Sequence, residues 1–192
     1  MTKATDNLRW QKSVNDDDYL VSTSKDLVDR AFVQSAFASE ETYWAKPLPD
    51  EQLTVLLDNS LTLGLYKVIP AAPSPKSAET PDSPRTPSPT IADDPSEQLQ
   101  QIGMARLITD HMTTAYLTDV YILPDYRTHG LGKWLIKCCN ETFDAMPAMR
   151  RTFLVTSPEV GKRFYGRELG MWDVGDEKEH LACMTRRFFR MD

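Results

Sequence analysis

The hydrophobic and polar positions of the chain follow two periods, and these periods predict a mixed α/β protein. Runs of apolar and β-branched residues predict strands at 19–23, 61–69, 101–109, 115–123 and 153–156. Apolar residues that recur every three or four positions predict helices at 26–40, 48–57, 131–146 and 162–169. Two last strands are predicted at 173–174 and 181–187. Elements that alternate and then end in strands favour a mixed sheet with helices on both faces.

A proline-rich stretch interrupts this alternation. Between Pro70 and Pro95 the chain holds eight of its 13 prolines, together with many Ser, Thr and Ala residues. Proline lacks a backbone donor and restricts its neighbour, and few apolar residues are present to offset the entropy of ordering. Since neither flank closes a core alone, we expect one domain, 1–192, with a flexible insertion at about 70–97. Its five Ser-Pro and Thr-Pro pairs leave open a plain spacer or a target of proline-directed phosphorylation.

Composition narrows the class of protein. A net charge of -6 argues against nucleic acid as the main partner. We expect no membrane contact, because no run of about 18 apolar residues and no targeting segment is visible. The expected location is the cytoplasm, with access to the nucleus left open. The three cysteines suit neither a disulfide framework nor a zinc site, so no metal is expected.

The candidate chemistry is concentrated where a predicted strand turns into a predicted helix, at 119–132. Gly130 and Gly132 let the backbone come close to a ligand. The first N–H groups of the helix have no partner within it, and with the helix dipole they form an anion site. Arg127 adds a planar fork of donors that suits phosphate oxygens. A pyrophosphate is the expected occupant.

Two better-known glycine loops do not fit this spacing. A phosphate loop of the Walker A type needs Ser or Thr after Gly132-Lys133, where Trp134 stands, and it needs Gly where Arg127 stands. The dinucleotide fingerprint needs a third Gly at position 135, which is Leu.

The pattern Arg127-x-x-Gly130-x-Gly132 resembles the cofactor motif of the GNAT superfamily of N-acetyltransferases, Gln/Arg-x-x-Gly-x-Gly/Ala. The surrounding segments 42–45, 61–66, 101–106 and 116–120 are similar to a subgroup of small, mostly uncharacterised members. The resemblance implies the GNAT fold, a mixed and mostly antiparallel sheet of six or seven strands flanked by about four helices. It implies acetyl-CoA as cosubstrate. The pyrophosphate would lie on the segment 127–132, and the pantetheine arm would lie along the preceding strand. The residues so implied are Val120, Tyr121, Ile122, Arg127, Thr128, His129, Gly130, Leu131, Gly132 and Lys133.

The resemblance also implies direct attack of a primary amine, of a small molecule or a protein, on the thioester. Asp119, the one carboxylate in an apolar strand, is the candidate base or ammonium-binding group. The alternative is that it satisfies nearby donors, since a buried charge must be paired. Tyr165 is the candidate acid for the leaving thiolate, or a core residue. It lies five residues before Gly170, whereas the family has its Tyr four before, and one residue is about 100° of rotation.

Tyr43 and Trp44 lie between the first two predicted helices, where the resembled fold has one wall of its acceptor site. Aromatic rings can hold a cation or an apolar acceptor, and the alternative is packing of the helix pair. A second hypothesis for the whole protein is a non-catalytic acyl-CoA-binding regulatory module, motivated by the shifted register of Tyr165. The sequence leaves monomer and homodimer open.

Overall fold

A computed structural model describes residues 3–70, 98–176 and Met184. The predicted insertion lies outside these residues apart from Pro70, and so does the predicted strand at 181–187 apart from Met184. The chain divides into two compact units, Met1–Phe153 and Leu154–Asp192. The assignment of the whole chain to one domain stays a prediction.

The sheet has six strands whose spatial order follows the chain. The strands are β1 (Arg9–Val14), β2 (Asp17–Ser22), β3 (Leu61–Ile69), β4 (Gln98–Thr109), β5 (Thr114–Ile122) and β6 (Arg151–Leu154). Neighbours from β1 to β5 pair antiparallel, which confirms the mostly antiparallel sheet. β3 is buried over its first six residues, as its run of apolar residues predicts for a central strand.

Strand β1 was not predicted from the sequence. Its residues alternate between exposed and partly exposed positions and none is buried, so it carries no apolar signal. It forms because Asn15 and Asp16 both take left-handed conformations, with φ of 52° and 66°, which is the backbone of a two-residue hairpin turn. Trp10 then donates from Nε1 to Glu141 at 2.5 Å.

The helices are α1 (Arg30–Ala38), α2 (Asp50–Asp58), α3 (Leu131–Asp144) and α4 (Val160–Leu169). α1 is shorter than predicted because Asp29 caps it, accepting from the backbone N of Ala31 at 2.8 Å and of Phe32 at 3.2 Å. The segment before it, Lys25–Leu27, is a short 3-10 turn.

Helices cover both faces of the sheet. On one face α1 and α2 form a core with the β4 residue Met104, made of Phe32, Val33, Ala36, Phe37, Leu53 and Met104. Tyr121 packs against this core. The next residue, Ile122, faces Gly132 of α3, and successive strand residues point to opposite faces. α3 therefore lies on the other face, where Leu135 and Ile136 are fully buried.

In the second unit, α4 begins at Val160, two residues before the predicted start, and ends at Gly170 in a left-handed conformation with φ 65°. The prediction of a strand at 173–174 is wrong. Val174–Asp176 is a 3-10 turn, and Asp173 accepts from the backbone N of Gly175 at 2.9 Å. Such local bonds favour a turn over a strand. Among the described residues, no helix has the length and apolar character needed to cross a bilayer.

Asp110 organises the hairpin between β4 and β5. Its Oδ1 accepts from the backbone N of Met112, Thr113 and Thr114 at 3.0, 2.8 and 3.1 Å. Its Oδ2 accepts from the Thr113 hydroxyl at 2.6 Å. These donors favour the charged form and hold the pKa of Asp110 well below its ordinary value.

We expect Asp110→Ala to lower the melting temperature at about pH 7, because three backbone donors of the hairpin lose their acceptor. The pKa of Asp110 is depressed in the folded state. Its contribution is therefore present above the unfolded-state pKa and is lost as the pH falls below it. The difference in melting temperature between wild type and variant, measured by circular dichroism, should shrink from about pH 5 towards about pH 2.

The matched variant is Asp110→Asn, which keeps an acceptor oxygen for the turn but no charge. It should stay closer to wild type in melting temperature than Asp110→Ala. A melting-temperature loss in Asp110→Ala that is the same at all pH values would contradict the charge-dependent part of this account.

Candidate functional site

Strand β5 has a bulge at the carboxylate that the sequence singled out. Pairing with β4 is regular up to Arg106 opposite Thr118 and resumes at Met104 opposite Tyr121. Asp119 and the residue after it therefore stand together opposite a single residue of β4. Asp119 has φ 49°, a left-handed conformation that costs energy for most residues and that Asp tolerates better. A bulge leaves ladder groups unpaired and bends its strand, so the pairing of β5 with β4 is interrupted at residues 119–120 and resumes at Tyr121.

The Asp119 carboxylate is buried and fully engaged by the protein. Its Oδ2 lies 2.7 Å from both Nε and Nη2 of Arg106. Its Oδ1 accepts from Trp44 Nε1 at 3.1 Å and from the Thr118 hydroxyl at 3.2 Å. The Asp119 side chain is 6% exposed and that of Arg106 is 12% exposed. The structure thus shows the pairing that a buried charge requires. The role of Asp119 as a base stays a prediction.

The aromatic residues predicted for the acceptor site lie beside this pair. Tyr43 and Trp44 follow the 3-10 turn Glu40–Thr42, and their rings meet edge to face at 5.1 Å between centroids. Tyr43 is 85% exposed and Trp44 is 52% exposed, so Tyr43 does not serve to pack the helix pair. Thr42 is buried and donates from Oγ1 to the carbonyl of Ala36 at 2.6 Å, which fixes the turn to the end of α1. The structure brings Trp44 to Asp119, 75 residues away in sequence.

The glycine loop comprises the 3-10 turn Pro124–His129 and Gly130, and Gly130 leads into α3. Gly130 has φ 69° and a Cβ there would meet nothing within 4 Å, so the backbone conformation rather than space requires glycine. At Gly132 a Cβ would lie 3.7 Å from Ile122 Cδ1, an ordinary contact. Among the described residues, no side chain caps the start of α3, and its first turn carries no acidic residue. Within that part of the chain the first amides of α3 therefore have no side-chain acceptor, as an anion site requires.

Arg127 faces the protein rather than the start of α3. Its Nε donates to the carbonyl of Ile122 at 2.9 Å, and Nη1 and Nη2 donate to the two carboxylate oxygens of Glu41, the first at 2.8 Å. Its guanidinium lies 5.7 Å from the ring centre of Tyr121. The Arg127 fork holds the pKa of Glu41 below its ordinary value. Of the other loop residues, the Thr128 hydroxyl lies 3.5 Å from His129 Nδ1. Phosphate binding by the Arg127 side chain stays a prediction.

Tyr165 lies in the second unit, on α4, with its ring edge to face against Phe164 at 5.1 Å. α4 is a continuous α-helix from Val160 to Leu169, so no bulge shifts Tyr165 to the position four residues before Gly170. Gly166 occupies that position. The role of Tyr165 as an acid stays a prediction.

Two residues of this region were missed from the sequence, Arg106 and Glu41. Arg106 had a readable signal, because it is a lone cation in an apolar strand, next to a strand with a lone carboxylate. Glu41 had none, since its partner Arg127 is 86 residues away. Among the described residues, no three His, Cys, Asp or Glu side chains come together in a way that would bind a metal ion.

We expect Arg106→Met to destabilise the protein by about 3–5 kcal/mol, because it leaves the buried Asp119 carboxylate without its cation. The double variant Arg106→Met with Asp119→Asn should recover most of that loss. Asn tolerates the left-handed φ and still accepts from Trp44 and Thr118. Urea denaturation of both variants measures the effect. A double variant no more stable than Arg106→Met would show that the uncompensated charge is not the cause.

Three comparisons with known proteins bear on the family and the fold of the chain. The family model described as Acetyltransferase (GNAT) domain matches residues 91–170, which include the bulge, the loop and α3. A curated protein of Gibberella zeae, whose name describes it as a candidate acetyltransferase, is 35% identical over 156 residues, 81% of this chain and 80% of that protein.

Solved structures share the fold. A candidate acetyltransferase of the GNAT family from Xanthomonas campestris pv. campestris matches with a TM-score of 0.58 at 24% identity, over 89% of this chain and 93% of that one. A probable acetyltransferase of Staphylococcus aureus matches with a TM-score of 0.53 at 15% identity, over 88% and 99%. These likenesses confirm the predicted fold class. With the sequence relative matching over most of both chains, the protein belongs to the GNAT superfamily of acetyltransferases.

Proposed function

We propose that the protein transfers an acetyl group from acetyl-CoA to a primary amine of a small molecule or a protein. The observation that carries this proposal is the uncapped start of α3, reached through Gly130, beside the bulge of β5. The first feature suits an anion and the second frees strand backbone for a ligand. Both lie in the part of the chain that the GNAT family model matches, and that family uses acetyl-CoA.

In this proposal the backbone of the loop and of the first turn of α3, residues 127–133, holds the pyrophosphate of acetyl-CoA. Orphan N–H groups at a helix start supply donors and a favourable dipole for phosphate oxygens. Lys133 adds a cation in the first turn of α3. The pantetheine arm lies along residues 120–122, at and just after the bulge of β5.

The reaction is an acyl transfer without a covalent enzyme intermediate. The acceptor first gives up a proton, because a free alkylammonium has a pKa of about 10.4 and only the neutral amine attacks. The nitrogen forms a bond to the thioester carbonyl carbon, and the carbon–sulfur bond breaks. The nitrogen loses a second proton and the leaving thiolate gains one, which leaves an N-acetylated amine and the free thiol of CoA. A positioned N–H donor at the bulge would stabilise the charge on the carbonyl oxygen.

Two side chains are proposed for the proton transfers. Asp119 receives or holds the ammonium group of the acceptor, and Tyr165 gives a proton to the thiolate. Tyr43 and Trp44 form a wall for the acceptor, because their exposed rings can bind a cation or an apolar group. The hydrogen bond from Trp44 Nε1 to Asp119 supports one common site for wall and carboxylate.

A second candidate function is a non-catalytic acyl-CoA-binding module. Two observations favour it. Both oxygens of Asp119 are engaged by protein donors, and α4 keeps Tyr165 out of the usual family position. Acetyl-CoA binding without release of CoA thiol across a broad panel of amines, after subtraction of background hydrolysis, would select this second function.

We expect Gly132→Glu to weaken acetyl-CoA binding by about tenfold or more, because a carboxylate at the start of α3 would repel the pyrophosphate. Gly132→Ala is the matched control. A Cβ at that position makes only an ordinary contact with Ile122, so binding should stay close to that of wild type. Calorimetric titration of the three proteins with acetyl-CoA measures this. Equal affinity of wild type and Gly132→Glu would remove the cofactor site from the start of α3.

We expect Tyr165→Phe to lower the rate of CoA release, with the best amine of the panel, by roughly 10²-fold. Only the phenolic hydroxyl is lost, so the affinity for acetyl-CoA should not change. Tyr116→Phe, on β5, is a control that removes a hydroxyl outside the proposed machinery. A thiol-reactive dye reports CoA release. If the rates of Tyr165→Phe and Tyr116→Phe both equal that of wild type, Tyr165 is not the acid.

A further inference from the structure

The turn Glu40–Thr42 and the two aromatic residues after it touch both halves of the proposed site. We call residues 40–44 the bridging segment. At one end Glu41 binds Arg127 in the glycine loop. At the other end Trp44 binds Asp119 at the bulge. Between them Thr42 is buried and anchored to α1. The segment is thus tied to each half through a different side chain.

The surroundings of Arg127 show where its charge is directed. The guanidinium lies over Tyr121, whose ring lies 6.3 Å from that of Phe32 in α1. Gly132 and the start of α3 instead lie against Ile122, on the other face of the sheet. The donors of Arg127 go to Ile122 and Glu41. The guanidinium of Arg127, which precedes the two glycines in the motif, therefore points towards α1 and away from the amides of α3.

We propose that Glu41 is a positioning residue for acetyl-CoA binding, which holds Arg127 so that Arg127 fixes the turn leading into Gly130. Through this pair the bridging segment sets the conformation of the loop, and the Arg127 side chain acts on the cofactor indirectly. The inference rests on the proposed function for its effect on acetyl-CoA, but the pair itself is independent of any ligand.

The strength of the pair follows from its geometry. Glu41 and Arg127 are each about half-exposed, and an isolated exposed pair contributes only about 0–1 kcal/mol. Here the contact is bidentate, the same guanidinium donates to the Ile122 carbonyl, and its face covers Tyr121. Bidentate contacts within a network are the case in which such pairs matter.

If Glu41 had the opposite role, removing its charge would change the affinity for acetyl-CoA in the opposite direction. If Glu41 only occupied the place of a phosphate, it would compete with acetyl-CoA for Arg127, and removing its charge would tighten binding. If Glu41 positions the loop, removing its charge weakens binding. The direction in which the affinity for acetyl-CoA changes when the charge of Glu41 is removed therefore distinguishes the two roles.

The test is calorimetric titration with acetyl-CoA of wild type, Glu41→Gln, Arg127→Ala and the double variant. We expect each single variant to raise Kd roughly threefold, and the double variant to match the weaker single one, because both break the same pair. Glu41→Asp should recover part of the affinity. Glu40→Gln is the matched control, an exposed neighbour in the same turn, and should bind like wild type. Equal or tighter binding by Glu41→Gln would overturn the proposal.

A second measurement works without a cofactor. Hydrogen exchange of the unliganded protein should show faster exchange of amides in 125–130 in Glu41→Gln and in Arg127→Ala, but not in Glu40→Gln. Unchanged exchange in Glu41→Gln would overturn the positioning role. If wild type failed to bind acetyl-CoA, the proposed function would fall, and the exchange result alone would still decide whether Glu41 positions the loop.

Discussion

The ion pair between Arg106 and Asp119 is the interaction on which the rest of the site depends. β5 takes an extra residue at Asp119 and holds it at φ 49°, a conformation that a regular strand does not adopt. The carboxylate at this strained position is bound by Arg106 from the neighbouring strand, so the cation that neutralises the buried charge also fixes the bulge. Trp44 is attached to the same carboxylate. Loss of the pair would disturb both the strand and the attachment of Trp44.

Much of the fold could be predicted because its signal is local. Strands β3 and β5 are runs of apolar and β-branched residues, and the structure places them within one residue of their predicted bounds. β1 was missed because it has no buried residue, and contacts from elsewhere stabilise it, such as Lys12 over the Trp134 ring. The strand expected at 173–174 failed because one side chain, Asp173, bonds its own backbone neighbourhood.

The candidate site, like the fold, could be predicted from the sequence only where its signal is local. The glycine loop and Asp119 could be found because a strand, a turn and a helix start follow one another within 14 residues of sequence, 119–132. The partners of those residues could not be found from the sequence. Glu41 reaches Arg127 across 86 residues, and Trp44 reaches Asp119 across 75. No periodicity or motif in a single sequence encodes such pairs, which arise only when the turn after α1 is brought to the end of β5.

The contacts of Arg127 also bear on why the family motif accepts Gln or Arg at this position. A neutral Gln brings no charge to a pyrophosphate, yet its amide can donate to a backbone carbonyl. Arg127 does this through Nε to the carbonyl of Ile122, the last residue of β5. The function that both residue types can share is therefore to join the end of the strand to the glycine loop. On this account the charge of Arg127 is additional, and this chain uses it to bind Glu41 and with it the segment that carries Tyr43 and Trp44.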